Sequence, residues 1–455
     1  MTSSRKDTNT TNFRGRLGYA CLNVFLRKQK PSIFCARTCR IETIKEKGMG
    51  YVRELGLQNI RDLLELVKFN EKHNIKFMRV SSQMFPFASS IEYGYSLEFA
   101  EKELRQVGEF AAKHGHRLTT HPGQFNQLGS PTRVIVEKTI RDLDYHAEML
   151  DLMGLPPDSI MIIHMGGTYG NKEETMERFE MNYLALSPRI KNRLVLENDE
   201  LSYCVQDLLP LCQKLSIPLV LDWHHHKLHP GTLSLEDLLA IIPEVNKTWT
   251  DRGLKPKQHY SESRRGANSK LEKRAHFDRV VQLPPCDPDM DLMIEAKDKE
   301  QAVFQLYQKY NLFEVDNSVL VPPDEVESTR TKGRKSNKRK VIEVEAEVSD
   351  DEESQDALVE EIVKNTRKRG NNGSRKRKKD EEIVVNLNID NKSSKNQHKK
   401  DVSNREEKIN QSDTTFITDL AYPSNEDTTI LQKESSNDTI ANRTRRKTKL
   451  LNTGL

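Results

Sequence analysis

Short apolar runs that end in metal-binding residue types recur along roughly the first three hundred residues of this chain. Examples are LTTHPGQ at His121, IMIIHMGG at His164 and LVLEND at Glu197. Runs of this length, rich in Leu, Ile and Val, are typical of strands that are buried on both faces and meet solvent at their ends. The pattern therefore predicts a parallel sheet with polar side chains gathered at one end.

Nine residues of these types lie at or just beyond the ends of such runs: His121, His164, Glu197, Asp222, His225, Lys257, His259, His276 and Glu295. A single one would more often be a buried core histidine or a capping carboxylate than a ligand. In a parallel barrel, however, the C-terminal ends of all strands open onto one face, so residues far apart in sequence meet there. The repetition favours a site for several metal ions over isolated structural roles.

Eight strand candidates, mostly alternating with amphipathic helices, predict a (β/α)8 barrel, a TIM barrel, rather than an open doubly wound sheet. The predicted strands are residues 17–24, 77–82, 117–122, 159–167, 193–198, 218–224, 256–261 and 291–297. The unit between the last two strands supports only a short helix. No glycine-rich fingerprint follows any strand, so we expect no nucleotide cofactor.

The types of ligand limit the chemistry. Imidazole nitrogens and carboxylate oxygens suit Zn²⁺, Mn²⁺ or Fe²⁺, and five histidines with three carboxylates exceed the needs of one tetrahedral ion. Two or three ions close together can lower the pKa of a bridging water and neutralise a departing oxygen, as in enzymes that cut phosphodiesters. No G-x-S-x-G elbow offers a competing nucleophile. Hydrolysis is therefore the expected reaction.

The composition changes near residue 314, where aromatic residues nearly vanish and charged and polar residues take over. We expect a disordered N-terminus over 1–13, a barrel domain over 14–313 and a disordered, charged tail over 314–455, since the tail has too little apolar surface to fold. Basic blocks at 331–340, 367–379 and 443–449 favour a nuclear, DNA-associated protein, with the mitochondrion as a possible second location. A merely solvated tail is the alternative.

Other features set the cellular context. The six cysteines form no repeated CxxC pairs, which favours a reduced intracellular compartment and free thiols. No apolar run approaches the roughly 20 residues needed to cross a bilayer. We expect a soluble monomer that does not bind membranes.

The stretch from Leu17 to about Tyr310 resembles the UV damage endonucleases, relatives of the barrel-shaped apurinic endonuclease IV. The motifs that carry the resemblance, in order, are LGYACLN, FMRVSSQMFPFAS, HPGQF, IIHMGG, LVLEND, LDWHHH, KQHYSE, RAHFDR and PPCDPDMDLMIEAKDKEQA. The resemblance implies a barrel enzyme that incises damaged double-stranded DNA immediately 5′ of UV photoproducts and other distorting lesions. It also implies two or three divalent ions, commonly manganese, with zinc or magnesium as alternatives.

Carried onto this chain, the resemblance assigns metal ligation to eight of the nine residues above: His121, His164, Glu197, Asp222, His225, His259, His276 and Glu295. It implies that Glu197, Asp222 and Glu295, together with Lys257, carry the catalysis. Lys257 matches a family lysine that can be carboxylated on its side chain. From the sequence alone Lys257 would instead be a phosphate contact, and both interpretations stay open.

Lesion recognition is a second implication of the resemblance. In the family, side chains enter the duplex and probe the damaged dinucleotide, and here these would be Gln124 and Phe125, with Tyr19 opposite. A planar wedge can replace stacking lost in a kinked duplex, and a damaged step costs less to open. The alternative for Phe125 is burial beneath its own loop.

Polar residues near the ends of the first two predicted strands are a further set of candidates for DNA contact. Asn23 could contact the DNA backbone, as could Arg79, Ser81 and Ser82. Helix capping and strand-end hydrogen bonds account for these residues equally well.

The chain departs from the family pattern at two positions. Phe125 stands where tyrosine is usual, which keeps the stacking face and loses a hydroxyl. Ser90 stands where the family often has another histidine ligand, and serine is a poor ligand, so we expect one ion to bind weakly or to hold a water instead.

These observations predict a metal-dependent DNA repair endonuclease. One alternative is a metal-dependent sugar isomerase, because related barrels also bind metals through His, Glu and Asp at strand ends. Another is a lesion-binding protein with weak catalysis, which the serine at position 90 would explain.

Overall fold

The computed structural model describes residues 11–323, which form a closed barrel of eight parallel strands in sequential order. The strands are β1 (Leu17–Ala20), β2 (Phe77–Val80), β3 (Arg117–Thr120), β4 (Met161–His164), β5 (Leu194–Glu197), β6 (Leu219–Asp222), β7 (Lys257–Tyr260) and β8 (Asp291–Ile294). Nearly every strand residue is buried, as expected for apolar runs covered on both faces. The predicted (β/α)8 barrel is confirmed.

All eight predicted strands are present, and each is shorter than predicted. The first shows why: β1 ends at Ala20 because Cys21 adopts a left-handed backbone conformation, with φ 66°, that turns the chain out of the sheet. At the other strand ends, too, polar residues that the sequence predicts as strand lie in the loops next to the candidate ligands.

Helices surround the barrel: α1 (Val24–Arg27), α2 (Ile41–Lys72), α3 (Glu101–His114), α4 (Arg133–Leu152), α5 (Lys172–Leu184), α6 (Pro188–Lys191), α7 (Val205–Leu215), α8 (Trp223–Leu228), α9 (Leu235–Thr250), α10 (Lys270–Arg274) and α11 (Glu300–Tyr310). The amphipathic helices that the sequence predicts are exemplified by α2, which buries Ile60, Leu63 and Val67 at helical spacing. Only the five-residue α10 separates β7 from β8, as the sequence indicates. Helix α2 is interrupted at Gly48, which has φ 76°.

A buried ion cluster lies at the N-terminal end of the barrel, opposite the candidate site. Asp291, the first residue of β8, accepts hydrogen bonds from Arg117 (2.9 Å), Lys255 (2.8 Å) and Arg16 (2.8 Å). Burial would raise the pKa of Asp291, but Arg16 and Arg117 outweigh it and lower the pKa. The Asp291 carboxylate therefore joins β1, β3 and β8 electrostatically at this end.

The packed domain extends past both expected boundaries. Phe13 is buried, and so is Val319 in the 3-10 turn Asn317–Val319. The Gln301 amide donates to the Val319 carbonyl (3.0 Å) and accepts from the Val321 amide (2.8 Å). Ending the domain at residue 313 was therefore wrong: the apolar sequence Val319 to Val321 packs onto α11 despite its polar surroundings.

The remainder of the expected N-terminus and tail, including the three basic blocks, lies outside the described residues. Within residues 11–323, no helix combines the length and apolar character needed to span a membrane.

Candidate metal centre

The candidate ligands converge at the C-terminal ends of six consecutive strands. His164, Glu197 and Asp222 are the last residues of β4, β5 and β6. His121 and Glu295 directly follow β3 and β8, and His259 is the third residue of β7. Register pairs His164 with Glu197 and Asp222 with His259, so side chains from neighbouring strands lie side by side.

Three groups of ligand atoms each lie within 4.8 Å of one another. They are His121, His164 and Glu197; Glu197, Asp222 and His225; and Asp222, His259 and Glu295. Shared carboxylates therefore link the three groups into one centre. All but two of these seven residues are buried, so the donor atoms are largely shielded from water.

Glu197 is the hub of the centre. Its carboxylate oxygens lie 3.2 Å from Nε2 of His121 and 2.9 Å from Nδ1 of His259. His225 and His164 lie 3.6 and 3.9 Å away. Burial disfavours the charged carboxylate, but the imidazoles of His259 and His164 outweigh it and hold the pKa of Glu197 well below its usual value. Glu197 is therefore a carboxylate that can bridge two ligand groups.

Glu295 is held in place by an arginine. Arg79 of β2 donates to Oε1 of Glu295 at 2.6 Å, and both side chains are buried. Nδ1 of His259 lies 3.2 Å from the same oxygen. Burial alone would raise the pKa of Glu295, but Arg79 and His259 lower it strongly. Of the two alternatives for Arg79, the structure favours a strand-end contact over a contact with the DNA backbone, because its guanidinium is buried against this carboxylate.

Asp222 and His225 are oriented by the backbone around Asn198. The side-chain amide of Asn198 donates to the backbone carbonyl of Asp222 (3.1 Å) and accepts from the backbone N–H of Asp222 (2.8 Å). The Asn198 carbonyl contacts Nδ1 of His225 at 2.9 Å. Burial lowers the pKa of His225, but Asp222, Glu197 and Glu200 outweigh it and raise the pKa to about 10.

The residues of the centre fit a cluster of divalent ions. Oδ2 of Asp222 is buried without a hydrogen-bond partner among the described residues, and burial raises the pKa of this carboxyl. A buried acceptor without a partner costs free energy that a cation would recover. The donors are imidazole nitrogens and carboxylate oxygens with no thiolate, a set that suits Mn²⁺, Fe²⁺ or Zn²⁺.

His276 lies at the edge of the centre. Its Nδ1 is 3.9 Å from Oε2 of Glu295, and its ring packs edge-on against His224 at 5.4 Å. It belongs to none of the three groups and its side chain is 27% exposed. The structure therefore brings seven of the eight expected ligands into the centre and the eighth beside it.

Lys257 lies beneath the centre, fully buried. Its Nζ contacts Nε2 of His259, and burial lowers its pKa well below the usual value despite the attraction of Glu197. A side chain with no solvent exposure cannot reach a DNA phosphate, so the interpretation of Lys257 as a phosphate contact is wrong. A lowered pKa favours the unprotonated amine, which is the form of lysine that can react with carbon dioxide.

Ser90 takes part in a turn instead of contributing a ligand. Its Oγ accepts from the amides of Tyr93 (3.2 Å) and Glu92 (3.3 Å). It belongs to none of the ligand groups found among residues 11–323.

Tyr19 and Asn23 do not lie on the surface, so the expectation that they contact DNA is wrong. Tyr19 is fully buried and donates to Oδ1 of Asn70 on α2 at 2.8 Å. Asn23 is also buried: it donates to the Tyr19 hydroxyl (3.1 Å) and caps α1 by accepting from the Leu26 amide (2.8 Å). Tyr19 points outward from β1 into the layer between sheet and helix, where its hydroxyl needs these partners.

Ser81 is likewise an internal residue. It is buried, and its Oγ accepts from the Gln83 amide at 3.2 Å. Ser82, half-buried, directs its carbonyl toward the Tyr145 hydroxyl. Strand-end hydrogen bonding accounts for both.

Gln124 and Phe125 are exposed on the loop between β3 and α4, only three and four residues beyond His121. The Phe125 side chain is 54% exposed, so the alternative that it is buried beneath its loop is wrong. The loop is braced from below, because Asn126 donates to the Gly123 carbonyl (2.9 Å) and to Asp142 on α4 (2.8 Å).

A second brace comes from the loop after β4. The hydroxyl of Tyr169 donates to Oε1 of Gln127, whose amide lies 3.4 Å from the Gln124 carbonyl. Tyr169 has φ 49°, an uncommon conformation for a residue with a side chain. The strand that supplies His164 thus also supports the loop that carries Phe125.

Sequence reasoning missed Asn198, Glu200 and Tyr169. Glu200 pairs with Arg274 of α10 and lies 3.8 Å from Nε2 of His225, so it ties the loop after β7 to a ligand. Burial opposes its charge, but His225 and Arg274 lower the pKa of Glu200 to about 2. Asn198 and Glu200 directly follow Glu197 in the run LENDE, and polar residues that follow a ligand at a strand end are the signal that could have identified them.

Comparison with known proteins shows one family. The family model described as UV-endonuclease UvdE matches residues 15–327. A UV-damage endonuclease of Schizosaccharomyces pombe is 57% identical over 308 residues, covering 66% of this chain and 51% of the relative. A putative UV-damage endonuclease of Acanthamoeba polyphaga mimivirus is 38% identical over 317 residues, covering 67% of this chain and 93% of the relative.

Among solved structures, the crystal structure of SacUVDE matches with a TM-score of 0.57 and 28% sequence identity, covering 66% of this chain and all of that one. This chain spans only about half the length of the S. pombe relative.

Proposed function

The chain belongs to the UV-endonuclease UvdE family, and we propose that it is a divalent-metal-dependent endonuclease that cuts DNA at UV photoproducts and other distorting lesions. The observation that carries this proposal is the linked cluster of seven ligands from six strands, with an exposed aromatic residue, Phe125, four residues beyond the ligand His121. The metal cluster supports hydrolysis, and the loop supports DNA as the substrate.

Divalent ions held together in such a cluster supply the positive charge that activates a water and neutralises a departing phosphodiester oxygen. The side chains determine where that charge can lie. Glu197 joins the group of His121 and His164 to the group of Asp222 and His225, and Asp222 joins that group to Glu295. Arg79 holds Glu295 in its ionised form and fixes its orientation.

Selection of damaged DNA is assigned to the exposed loop. Phe125 presents an aromatic face that can replace a missing stacking partner, and Gln124 adds hydrogen-bonding groups beside it. Because a distorted step is already partly unstacked, inserting this wedge costs less there than in intact duplex. Selection by deformability explains how one loop could accept several lesions.

The finer features of the reaction follow from the family resemblance. We propose incision on the 5′ side of the lesion, two or three ions with manganese preferred, and a carbamate on Lys257. The buried amine of Lys257, whose pKa burial lowers, supports the carbamate, since attack of the unprotonated amine on carbon dioxide forms the N–C bond and releases one proton. We also propose that a single copy of the chain acts on the duplex without a nucleotide cofactor.

The test uses the full chain and an end-labelled duplex with one defined photoproduct. Incubation with Mn²⁺ should give one product cut on the 5′ side of the lesion, and chelation by EDTA should abolish it. Tight lesion binding without cleavage at any metal concentration would replace the proposal with a lesion-binding protein. If the protein shows no binding and no cleavage, DNA is refuted as the substrate.

We propose a nuclear location, with the mitochondrion as a second site, on the basis of the basic blocks at 331–340, 367–379 and 443–449. A fluorescent fusion of the full chain should accumulate in the nucleus. A fusion that ends at residue 323 should spread through the cell, and unchanged nuclear accumulation would contradict a role for the blocks.

A further inference from the structure

A cationic segment borders the face on which the ligand cluster opens. Residues 27–47, here called the ridge, comprise the loop after α1 and the first turns of α2. They contain seven basic residues and two acidic ones, and the loop part, 27–40, contains no acidic residue. The preceding strand, β1, pairs with the strand of Glu295 and with the strand of Arg79. The ridge therefore begins beside one edge of the metal centre.

Helix α2 places the ridge beyond the strand ends. Asn70, near the C-terminal end of α2, is level with β1 and β2 through its bonds to Tyr19 (2.8 Å) and Met78 (3.4 Å). Asn59 bonds the Met84 carbonyl (2.9 Å), four residues past the end of β2. Because the helix runs antiparallel to the strands, Asn59 lies on the side where the ligands open, and it holds the ridge loop there by accepting from the Arg37 backbone amide (2.9 Å).

The ridge is held in a fixed conformation. Glu300 of α11 accepts from the amides of Val24 (2.8 Å) and Phe25 (2.9 Å), which anchors the start of the loop. Asp62 of α2 accepts from the Phe34 amide at 3.0 Å and pairs with Arg37 at 2.7 Å. The loop is thus tied to two helices at separate points.

Four of the seven basic residues of the ridge fall into two classes. Arg37 is neutralised by Asp62 and stacks over Phe34 at 4.1 Å, so it serves the fold. Lys28, Lys30 and Arg40 are exposed and have no ion-pair partner within residues 11–323. Exposed cations without an ion pair, carried on an anchored segment, are suited to a partner with a regular line of negative charge.

We propose that the ridge binds the sugar-phosphate backbone of duplex DNA outside the damaged step, and that it does so with or without a lesion. This inference rests on DNA being the substrate. It divides the work between two elements: the ridge provides salt-sensitive affinity for any duplex, whereas the loop of Phe125 provides the preference for damage. Phosphate contacts carry no sequence information, so they suit an enzyme that must meet a lesion in any sequence.

The experiment compares two double variants of the full chain, Lys28→Gln with Lys30→Gln, and Lys72→Gln with Lys113→Gln. The second pair is the control, because both lysines are exposed in the last turns of α2 and α3 at the opposite end of the barrel. Affinity for an intact duplex is measured in EDTA over a range of salt, so metal binding and cleavage do not enter. For every DNA phosphate that a variant no longer neutralises, the slope of log affinity against log salt should fall by about 0.9.

The slope for the ridge variant should fall by up to about 1.8, whereas the control should keep the wild-type slope. The ratio of damaged to intact affinity should stay the same in the ridge variant, and KM for incision should rise. Equal slopes in the two variants would overturn the proposal. If the slope falls but the protein never cleaves damaged DNA, the proposal for the ridge stands and the endonuclease activity is rejected. Failure of the ridge proposal and failure of the proposed function can therefore be distinguished.

Discussion

The guanidinium of Arg79 lies 2.6 Å from the carboxylate of Glu295, and this buried pair reaches across β1 from β2 to β8. The pair gives one ligand of the metal centre a second role in the fold. Removing the charge of Glu295 removes a ligand and also removes the carboxylate that the buried Arg79 guanidinium contacts at 2.6 Å.

We predict that Glu295→Gln lowers both metal content and stability. Breaking a buried pair from one side costs about 3–5 kcal/mol, so urea unfolding of the metal-free variant should show a loss of this size. Metal affinity and the rate of incision should fall by about 100-fold or more, since even outer-shell partners contribute about 10- to 100-fold to metal affinity. Glu137→Gln, which breaks an exposed pair with Arg133, is the control and should change little.

A second variant separates the two effects of Glu295→Gln. Adding Arg79→Gln should recover part of the stability, because it removes the buried positive charge that faces position 295, but should leave metal affinity low. If Glu295→Gln alone unfolds like the wild type, the pair does not contribute to the fold.

We predict that Phe125→Ala weakens the preference for damaged DNA without changing metal content. Loss of one stacked aromatic corresponds to about 1–3 kcal/mol, or roughly a 5- to 150-fold fall in the ratio of damaged to intact affinity. The melting temperature should stay the same, because the side chain is 54% exposed. Leu184→Ala, on α5 and 58% exposed, provides the matched loss of an exposed apolar side chain. An unchanged affinity ratio would exclude the wedge.

We predict that Tyr169→Phe has a smaller effect of the same kind. The change removes only the hydroxyl that donates to Gln127, a hydrogen bond worth about 0.5–1.5 kcal/mol net. The affinity ratio should therefore fall by roughly two- to tenfold while metal content remains normal. Gln127→Ala should give a similar fall, and the double variant should be no worse than either single one. Additive losses would show that the two residues act independently.

We predict that metal affinity rises with pH. The pKa of metal-free His225 is raised to about 10, so at neutral pH this imidazole carries a proton that must leave when an ion binds. The logarithm of the Mn²⁺ affinity should increase by about one for each pH unit between roughly pH 6.5 and 8.5. His225→Gln should bind more weakly and lose this dependence. A wild-type affinity independent of pH would mean that His225 is already neutral.

We predict that Asp291→Asn destabilises the barrel without touching the metal centre. The variant removes the nearer carboxylate of the buried Arg117 and leaves only Asp158 at 3.9 Å, at a cost of about 3–5 kcal/mol in the free energy of unfolding at pH 7. The pKa of Asp291 is lowered in the folded state, so its contribution is complete above the usual carboxyl pKa of about 3.9 and is lost as the pH falls through the folded value.

Urea titrations of both proteins in EDTA at pH 7 and near pH 3 would check this prediction. The stability difference should shrink at the lower pH. An equal stability difference at pH 7 and near pH 3 would show that the effect does not come from the charge of Asp291.

The barrel and its ligands were predictable because one physical rule governs both. Apolar strands buried on two faces expose only their ends, so a His or Glu that ends such a run is placed on the open face by the fold itself. The side chains of Tyr19 and Asn23 followed no such rule. Both faces of β1 are apolar, so the sequence did not indicate that Tyr19 points toward α2 and takes Asn70 as its partner.

The residues that support the ligands and the exposed loop could not be predicted from the sequence for a different reason. Arg79 and Glu295 are 216 residues apart, so no local sequence motif contains both of them. Only closure of the barrel brings them together. The exposure of Phe125 depends likewise on Asn126 and Asp142, which hold the loop from a helix further along the chain.

The order of the strands sets the time at which the centre can exist. The group of Asp222, His259 and Glu295 draws on β6, β7 and β8, and β8 must pair with β1 before the barrel closes. A chain still being synthesised has the first histidines long before it has Glu295, so it can hold at most part of the ligand set. Nascent and truncated chains therefore cannot perform the reaction that requires the complete centre. A chain that ends before residue 295 should be inactive.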